Sequence, residues 1–184
     1  MELTARQEAT KAWQPFPPII VNVEEILLPT DFSSQCRDWV MHNGEYDELG
    51  KFYTSFNKDT LWVNKNNGDL ANPKGESPPD FINAVLAKVI LPDFVFREVW
   101  IQSYDPSGFH SMHNHDDDKN YLSGCLYLDQ GDSSIFQNPL EPNYNSSIPV
   151  NAGTLLYWHP ALYHSSFPSL ETRTIIAFNI CEKC

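Results

Sequence analysis

The stretch that decides the fold is residues 104–118, which read YDPSGFHSMHNHDDD. On an extended strand, the two-residue period places the imidazoles of His113 and His115 on one face. His164 follows much later, between the apolar run LLYW and the dipeptide FP. Two close ligands and one distant histidine can occupy one face of a divalent metal ion and leave the remaining positions open. The sequence therefore predicts a metal site.

The same tract offers a second chelate with the same spacing, formed by His115 and Asp117. This pair is the carboxylate-bearing version of the site. Alternatively, histidine and aspartate in a turn are solvated polar groups, and residues 116–118 form an exposed acidic loop. Each residue alone fits that simpler interpretation, whereas the ordered set with His164 favours the metal site.

Arg173 leads the apolar run of residues 174–178, which predicts a largely buried strand. A buried guanidinium needs an anion, and its planar fork can hold a carboxylate through two hydrogen bonds. A surface ion pair with Glu171 is the simpler alternative. His110 fits either the substrate side of the site or the surface. His42 is predicted to lie at the surface, and His159, at the end of a strand before Pro160, is predicted either to pack or to point outward.

Short β-type runs separated by Gly, Pro, Asn and Asp surround the histidine tract. They cover residues 94–104, 122–128, 135–137, 153–158 and 173–180. Regular short strands of this kind are typical of a sandwich or barrel, including the jelly roll. Three aromatic residues are candidates to line a pocket or to form ordinary core: Phe136, Tyr157 and Trp158. Residues 138–149 are predicted to be a long loop.

The N-terminal half is predicted to pack outside this β core. Apolar spacings of three and four residues indicate two helices, and turn signals indicate a surface loop between them. The predicted elements are a helix or loose arm over residues 1–13, a strand over 19–23, a helix over 32–41, a loop over 64–77 and a helix that opens at 77–80 and ends at 91. We expect one domain over residues 1–184, with an N-terminal strand and packing helices in 1–93 and a jelly-roll core carrying the metal site in 94–184.

The chain has 12 basic and 24 acidic residues, a formal net charge of −12. This charge repels nucleic acid and anionic membranes, so we expect neither as a partner. A small anionic substrate is compatible, since one buried arginine outweighs distant charges. Because no apolar run spans a bilayer and no signal peptide is evident, a cytoplasmic protein is expected. The four cysteines are expected to be free thiols, with Cys181 and Cys184 at a strand end rather than in a zinc motif.

Together, these motifs resemble the iron(II)- and 2-oxoglutarate-dependent oxygenase superfamily over roughly residues 100–179. The segments that carry the resemblance are Tyr104 to Phe109, His113-Asn-His115, residues 122–128 (LSGCLYL), residues 153–160 (GTLLYWHP), His164, Pro168, Arg173 and Phe178-Asn179. The pattern looks most like a small branch common in phage and marine bacteria. The resemblance implies a double-stranded β-helix, also called a jelly roll, that uses iron(II), 2-oxoglutarate and O2.

For the metal, the resemblance implies that His113 is the first histidine ligand and His164 the distal one. His115 stands where most relatives have a carboxylate, so one alternative is a site of three histidines. The other is a frame shifted by two residues, in which His115 and Asp117 form the usual pair.

For the cosubstrate, the resemblance implies that Arg173 pairs with the far carboxylate of 2-oxoglutarate, and that Tyr104 and Tyr127 lie on strands lining its pocket. The implied activity is hydroxylation of a peptidyl residue or a small molecule. One alternative is a three-histidine dioxygenase without a keto acid, which would not need Arg173. Another is a non-enzymatic jelly roll with structural zinc, which would need a fourth protein ligand. A homodimer is compatible with a chain of this size.

Overall fold

Fourteen strands and two helices are found in a computed structural model that describes residues 11–16, 19–66, 69–89, 93–116, 121–130 and 132–183. The first half contains β1 (Lys11–Phe16), β2 (Ile19–Glu25), α1 (Phe32–Asn43), β3 (Glu45–Asp47), β4 (Phe52–Thr54), β5 (Trp62–Asn66), β6 (Asp69–Ala71) and α2 (Asp80–Leu86). The second half contains β7 (Phe94–Tyr104), β8 (His110–His113), β9 (Leu122–Tyr127), β10 (Asp132–Gln137), β11 (Asn145–Val150), β12 (Thr154–Trp158), β13 (His164–Ser166) and β14 (Arg173–Glu182).

The strands form two antiparallel sheets. The major sheet has the order β1-β2-β12-β9-β14-β7-β4-β3, and the β5–β6 hairpin pairs with β7. The minor sheet has the order β11-β10-β13-β8. From β7 to β14 the chain therefore passes repeatedly between the two sheets. This arrangement is a double-stranded β-helix, so the predicted jelly roll is confirmed.

Both faces of the major sheet are buried. Side chains alternate along β14, because successive residues of a strand point to opposite faces. Ile175 and Ala177 join the core between the two sheets, whereas Ile176 and Phe178 join the core beneath the helices. This two-sided packing holds β7, β9 and β14 rigidly, and their inward side chains surround the histidine tract.

The N-terminal elements differ in part from the sequence prediction. The strand at residues 19–23 and the helix at residues 32–41 are confirmed by β2 and α1. The helix or arm expected over residues 1–13 is wrong at its end, because Lys11–Phe16 is the edge strand β1, where a proline is tolerated. Residues 1–10 lie outside the described part of the chain.

Two predicted loops contain strands. Residues 64–77 include most of β5 and all of β6, and these two strands pair with each other, so the segment is not a single loop. Residues 138–149 include most of β11, which pairs with β10 over six residues. Only Ile148 and Val150 of that strand are buried, so its sequence shows little alternation of apolar and polar side chains.

No helix in the described part of the chain is long and apolar enough to cross a membrane.

Candidate metal centre

Three histidines converge on the inner side of the minor sheet. His113 ends β8 and His164 begins β13, and the two residues are direct partners across the β8–β13 ladder. His115 follows β8 by two residues, and its backbone N–H donates to the carbonyl of Pro160 at 2.9 Å. The sheet register and this loop contact bring together two ligands close in sequence and one far along the chain.

The ligand nitrogens of His113, His115 and His164 all lie within 4.8 Å of one another. The imidazole centroids are 4.3 Å apart for His113 and His164, and 5.1 Å apart for His115 and His164. The Nδ1 atom of His113 lies 2.8 Å from the Ser111 carbonyl, and that of His164 lies 3.2 Å from the Leu162 carbonyl. An Nδ1–H that donates to a carbonyl leaves the Nε2 lone pair available for a metal.

Burial determines the electrostatics of the cluster. Loss of hydration, with a smaller contribution from the neighbouring His113, lowers the pKa of His115 to about 4. The same cause lowers the pKa of His113 and, more strongly, that of the almost fully enclosed His164. The three imidazoles are therefore neutral at physiological pH, which is the protonation state that binds a metal.

These donors fit a borderline divalent ion. A metal–imidazole bond is about 2.1 Å long, so two nitrogens on one ion lie at most about 4.2 Å apart. Side-chain adjustments of under about 1 Å therefore bring the three nitrogens within range of one ion. Imidazole suits iron, zinc, copper and nickel, and three ligands leave positions open for other molecules.

A small cavity of about 40 Å³, the inner cavity, adjoins this cluster between the two sheets. The predicted residues Tyr104 and Tyr127 line it, and Trp158 contributes to its wall. Loss of hydration raises the pKa of Tyr127, whose hydroxyl is fully enclosed. Tyr157, a predicted lining candidate, instead packs beneath the helices and donates from its hydroxyl to Glu24 at 2.7 Å.

Arg173 begins β14 and is 3% exposed. Its partner across the ladder is Tyr104 of β7, and its guanidinium carbon lies 4.4 Å from the centroid of the Tyr104 ring. A cation over an aromatic face is stabilised by the ring quadrupole. Glu171 is exposed. The predicted basic residue is therefore buried beside a tyrosine that lines the inner cavity.

Of the other three histidines, one lies at the inner cavity and two lie at the surface. His110 lines the inner cavity, where its ring stacks on His113 at a centroid distance of 4.2 Å. Its Nδ1 lies 3.4 Å from the Tyr104 hydroxyl. His42 is exposed, as predicted, and His159 is exposed, which is one of the two predicted alternatives.

The acidic tract is only partly described. Asp116 is exposed, and Asp117 and Asp118 lie outside the described residues. At the C-terminus, Cys181 is half-buried near the end of β14, and Cys184 lies outside the described residues. Cys36 and Cys125 are buried thiols.

A larger cavity of about 390 Å³, the outer groove, also has His113 and His115 in its lining. The sequence prediction named three histidines that line this groove, His110, His113 and His115, but it missed most of the other residues that form it. Trp100 and Gln102 share the inward face of β7 with Tyr104, so the two-residue period could have identified them. The remaining contributors come from β3, β4 and the adjoining turns, and three-residue strands are too short for periodicity to reveal: Asp47, Phe52, Thr54 and Phe56.

Solved structures with the same architecture are known. The chain is similar to a prolyl-4-hydroxylase from Pseudomonas putida, at 16% identity, with a TM-score of 0.59 over 89% of this chain and 93% of that one. It is similar to an oxidoreductase of the 2OG-Fe(II) oxygenase family from Burkholderia pseudomallei, at 11% identity, with a TM-score of 0.54 over 85% and 93% of the respective chains.

A viral collagen prolyl hydroxylase from Paramecium bursaria Chlorella virus-1, solved as a 2OG complex, is 14% identical, with a TM-score of 0.55 over 89% and 96%. No family model and no curated protein sequence matches the chain. The similarity to these solved structures shows that the chain has the fold of the 2-oxoglutarate- and iron(II)-dependent oxygenases.

Proposed function

We propose that this chain is a non-haem iron(II)- and 2-oxoglutarate-dependent oxygenase of the hydroxylase type. The observation that carries the proposal is the convergence of three neutral histidines, two half-buried and one buried, at the inner cavity of a double-stranded β-helix. The similar solved structures include proteins described as prolyl hydroxylases and as a 2OG-Fe(II) oxygenase. Iron(II), 2-oxoglutarate and O2 are the cofactor and cosubstrates that this class of reaction uses.

In this proposal His113, His115 and His164 hold the metal. The distances among their nitrogens support a three-histidine site, with His115 in place of the carboxylate of most relatives. Replacing a carboxylate by a neutral imidazole leaves one more positive charge at the metal. Asp117 is the alternative third ligand, and the effects of His115→Ala and Asp117→Asn on iron(II) binding distinguish the two sets.

The cosubstrate is proposed to lie in the inner cavity. Arg173 would pair with its far carboxylate, because a buried guanidinium can give two parallel charge-assisted hydrogen bonds. Tyr104, which stacks against Arg173, would hold the guanidinium in position, and Tyr127 would bound the cavity on β9. A small adjustment of these side chains is needed, since the cavity of about 40 Å³ is smaller than the keto acid.

When bound, iron(II) with 2-oxoglutarate and O2 supplies an oxidant for a C–H bond, while the keto acid leaves as succinate and carbon dioxide. The chain orients these groups and keeps water away from them. Trp158 packs edge-on against His164 at a centroid distance of 4.7 Å, and Phe136 packs against Trp158. These rings hold the His164 imidazole in place and exclude water from its inner side.

The two alternatives find less support. A three-histidine dioxygenase without a keto acid leaves the burial of Arg173 beside the cavity unexplained. A structural zinc site requires a fourth protein ligand. Within the part of the chain that the structure describes, the metal-binding group contains the three histidines alone.

The substrate is proposed to be a peptidyl residue or a small molecule. The net charge of −12 argues against nucleic acid and anionic membranes as partners. Cytoplasmic localisation, a homodimer and membership of the branch common in phage and marine bacteria remain predictions from the sequence.

The test is optical. Addition of 2-oxoglutarate to the iron(II)-loaded protein without oxygen should produce a weak visible charge-transfer band. His113→Ala and His164→Ala should abolish the band. His159→Ala should retain it, because His159 is exposed, although it adjoins Pro160, whose carbonyl accepts from His115. A wild-type protein that binds iron(II) and shows no band at saturating 2-oxoglutarate would contradict the proposal.

A further inference from the structure

The outer groove is placed to receive the molecule that the proposed oxygenase modifies. Its inner wall includes His113 and His115, so an occupant would contact the metal-binding cluster directly. Its volume of about 390 Å³ falls within the range of small-molecule sites, about 300–1,000 Å³. This inference therefore rests on the proposed function and adds the class of substrate.

Aromatic rings form the walls of the groove. The Trp100 ring is 4% exposed, and it packs against His115 at a centroid distance of 5.7 Å. Phe56 packs edge-on against Trp100 at 4.9 Å and is 49% exposed, so it forms the outer lip. Phe52, which also lines the groove, packs at a tilt against His110 at a centroid distance of 5.3 Å. A slot between such rings accepts an aliphatic chain, and their faces attract a cation.

The one charged side chain among the described residues that line the groove is acidic. Among the described residues that line it, Asp47 is the only carboxylate, and lysine and arginine are missing from that set. One oxygen of Asp47, Oδ1, accepts a hydrogen bond from the backbone N–H of Gly50 at 2.6 Å, which fixes the carboxylate at the β3–β4 turn. The net charge of −12 adds a long-range field that attracts cations and repels anions.

From these observations we infer that the outer groove binds an aliphatic chain that ends in an ammonium group. The carbon chain lies along Trp100 and Phe56 towards His115, and the ammonium group lies near Asp47. A lysyl side chain of a peptide and a free alkylamine present the same chemistry, whereas carboxylate-bearing and phosphate-bearing substrates are disfavoured.

Binding of four probes to the 184-residue chain tests this inference by NMR shift titration, in the absence of oxygen. The probes are acetyl-lysine methylamide, its norleucine and glutamate counterparts, and butylamine. The lysine probe should bind about five- to thirtyfold tighter than the norleucine probe, the combined effect of an exposed ion pair and a cation–aromatic contact. It should also shift the indole N–H resonance of Trp100.

Variants test whether the preference for the lysine probe over the norleucine probe arises in the outer groove. Asp47→Asn keeps an oxygen that accepts from Gly50 and removes the charge, so it should weaken the lysine probe about two- to fivefold and leave the norleucine probe unchanged. Glu48→Gln, one residue further along the same turn and outside the groove lining, is the matched control and should change neither affinity. Phe56→Ala should weaken the lysine probe by a similar factor, because it removes the outer lip.

Equal affinities for the lysine and norleucine probes, tighter binding of the glutamate probe, or equal effects of Asp47→Asn and Glu48→Gln would overturn the inference. Butylamine binding as tightly as the lysine probe would assign the site to a free amine, and binding tenfold more weakly would assign it to a peptidyl side chain. Either result supports the inference. Because these titrations measure binding alone, they can fail while 2-oxoglutarate binding persists, and they can succeed where the proposed oxygenase activity fails.

Discussion

Replacement of Arg173 by glutamine should weaken 2-oxoglutarate binding with little effect on iron binding. Arg173 is 3% exposed, so a carboxylate that pairs with it does so out of water. Loss of one partner from a buried, hydrogen-bonded charge pair costs about 2–5 kcal/mol, which corresponds to about 30- to 5,000-fold in affinity. Arg173→Lys should give an intermediate loss, because an ammonium keeps the charge without the planar fork.

The assay is titration of the anaerobic iron(II) protein with 2-oxoglutarate, followed by visible absorption and by calorimetry. Arg37→Gln is the control, because Arg37 pairs with Asp129 at 3.5 Å and its side chain is 32% exposed, whereas Arg173 is buried beside Tyr104 of the inner cavity. Its affinity for 2-oxoglutarate should equal that of the wild type. Urea unfolding of each variant separates lost binding from lost folding, since Arg173 also stacks on Tyr104. A folded Arg173→Gln variant that binds 2-oxoglutarate as the wild type does would refute the role given to Arg173.

Further changes test the metal centre and the packing around it. His164→Ala should weaken iron(II) binding by more than about a hundredfold in a calorimetric titration, since it removes one of three ligands. His115→Ala should weaken iron(II) binding similarly while Asp117→Asn leaves it unchanged, and the opposite pattern would establish the carboxylate-bearing site. The metal-free protein should lose stability as the pH falls from 6.5 towards 4. Burial lowers the pKa of His115 to about 4 in the folded chain, whereas the unfolded chain keeps the ordinary value of 6.5 and therefore takes up the proton first. A free energy of unfolding in urea that stays constant over this pH range would contradict this prediction. Gly124→Ala should destabilise the fold by about 1–3 kcal/mol in urea unfolding, because the added Cβ would lie 2.5 Å from the Phe178 ring in a well-packed core. An unchanged midpoint of urea unfolding would show that the ring moves aside freely.

The β core could be predicted from the sequence because its strands are strongly patterned. Residues 94–104 and 173–180 are long and apolar, and they form β7 and β14, the longest pair of the major sheet. Short or polar strands gave no such signal. β4 has three residues, and β11 shows alternation in only two buried side chains.

The metal centre could be anticipated in part for a similar reason. The spacing of His113 and His115 predicts that they share a face, because the two-residue period of a strand depends only on residues that are neighbours in the sequence. The partnership of His164 with His113 depends on the register of β8 and β13, which no local pattern contains. The outer groove depends on the docking of β4 against β7, so its aromatic walls were invisible before the sheet was assembled.

The most direct test of the central claim is succinate formation from 2-oxoglutarate by the purified, iron(II)-loaded protein in air, measured beside His164→Ala. Succinate should form above background with the wild type, even without an added substrate, and should not form with the variant. Absence of succinate in a wild-type protein that carries tightly bound zinc would contradict the oxygenase and favour a structural metal site on the same fold.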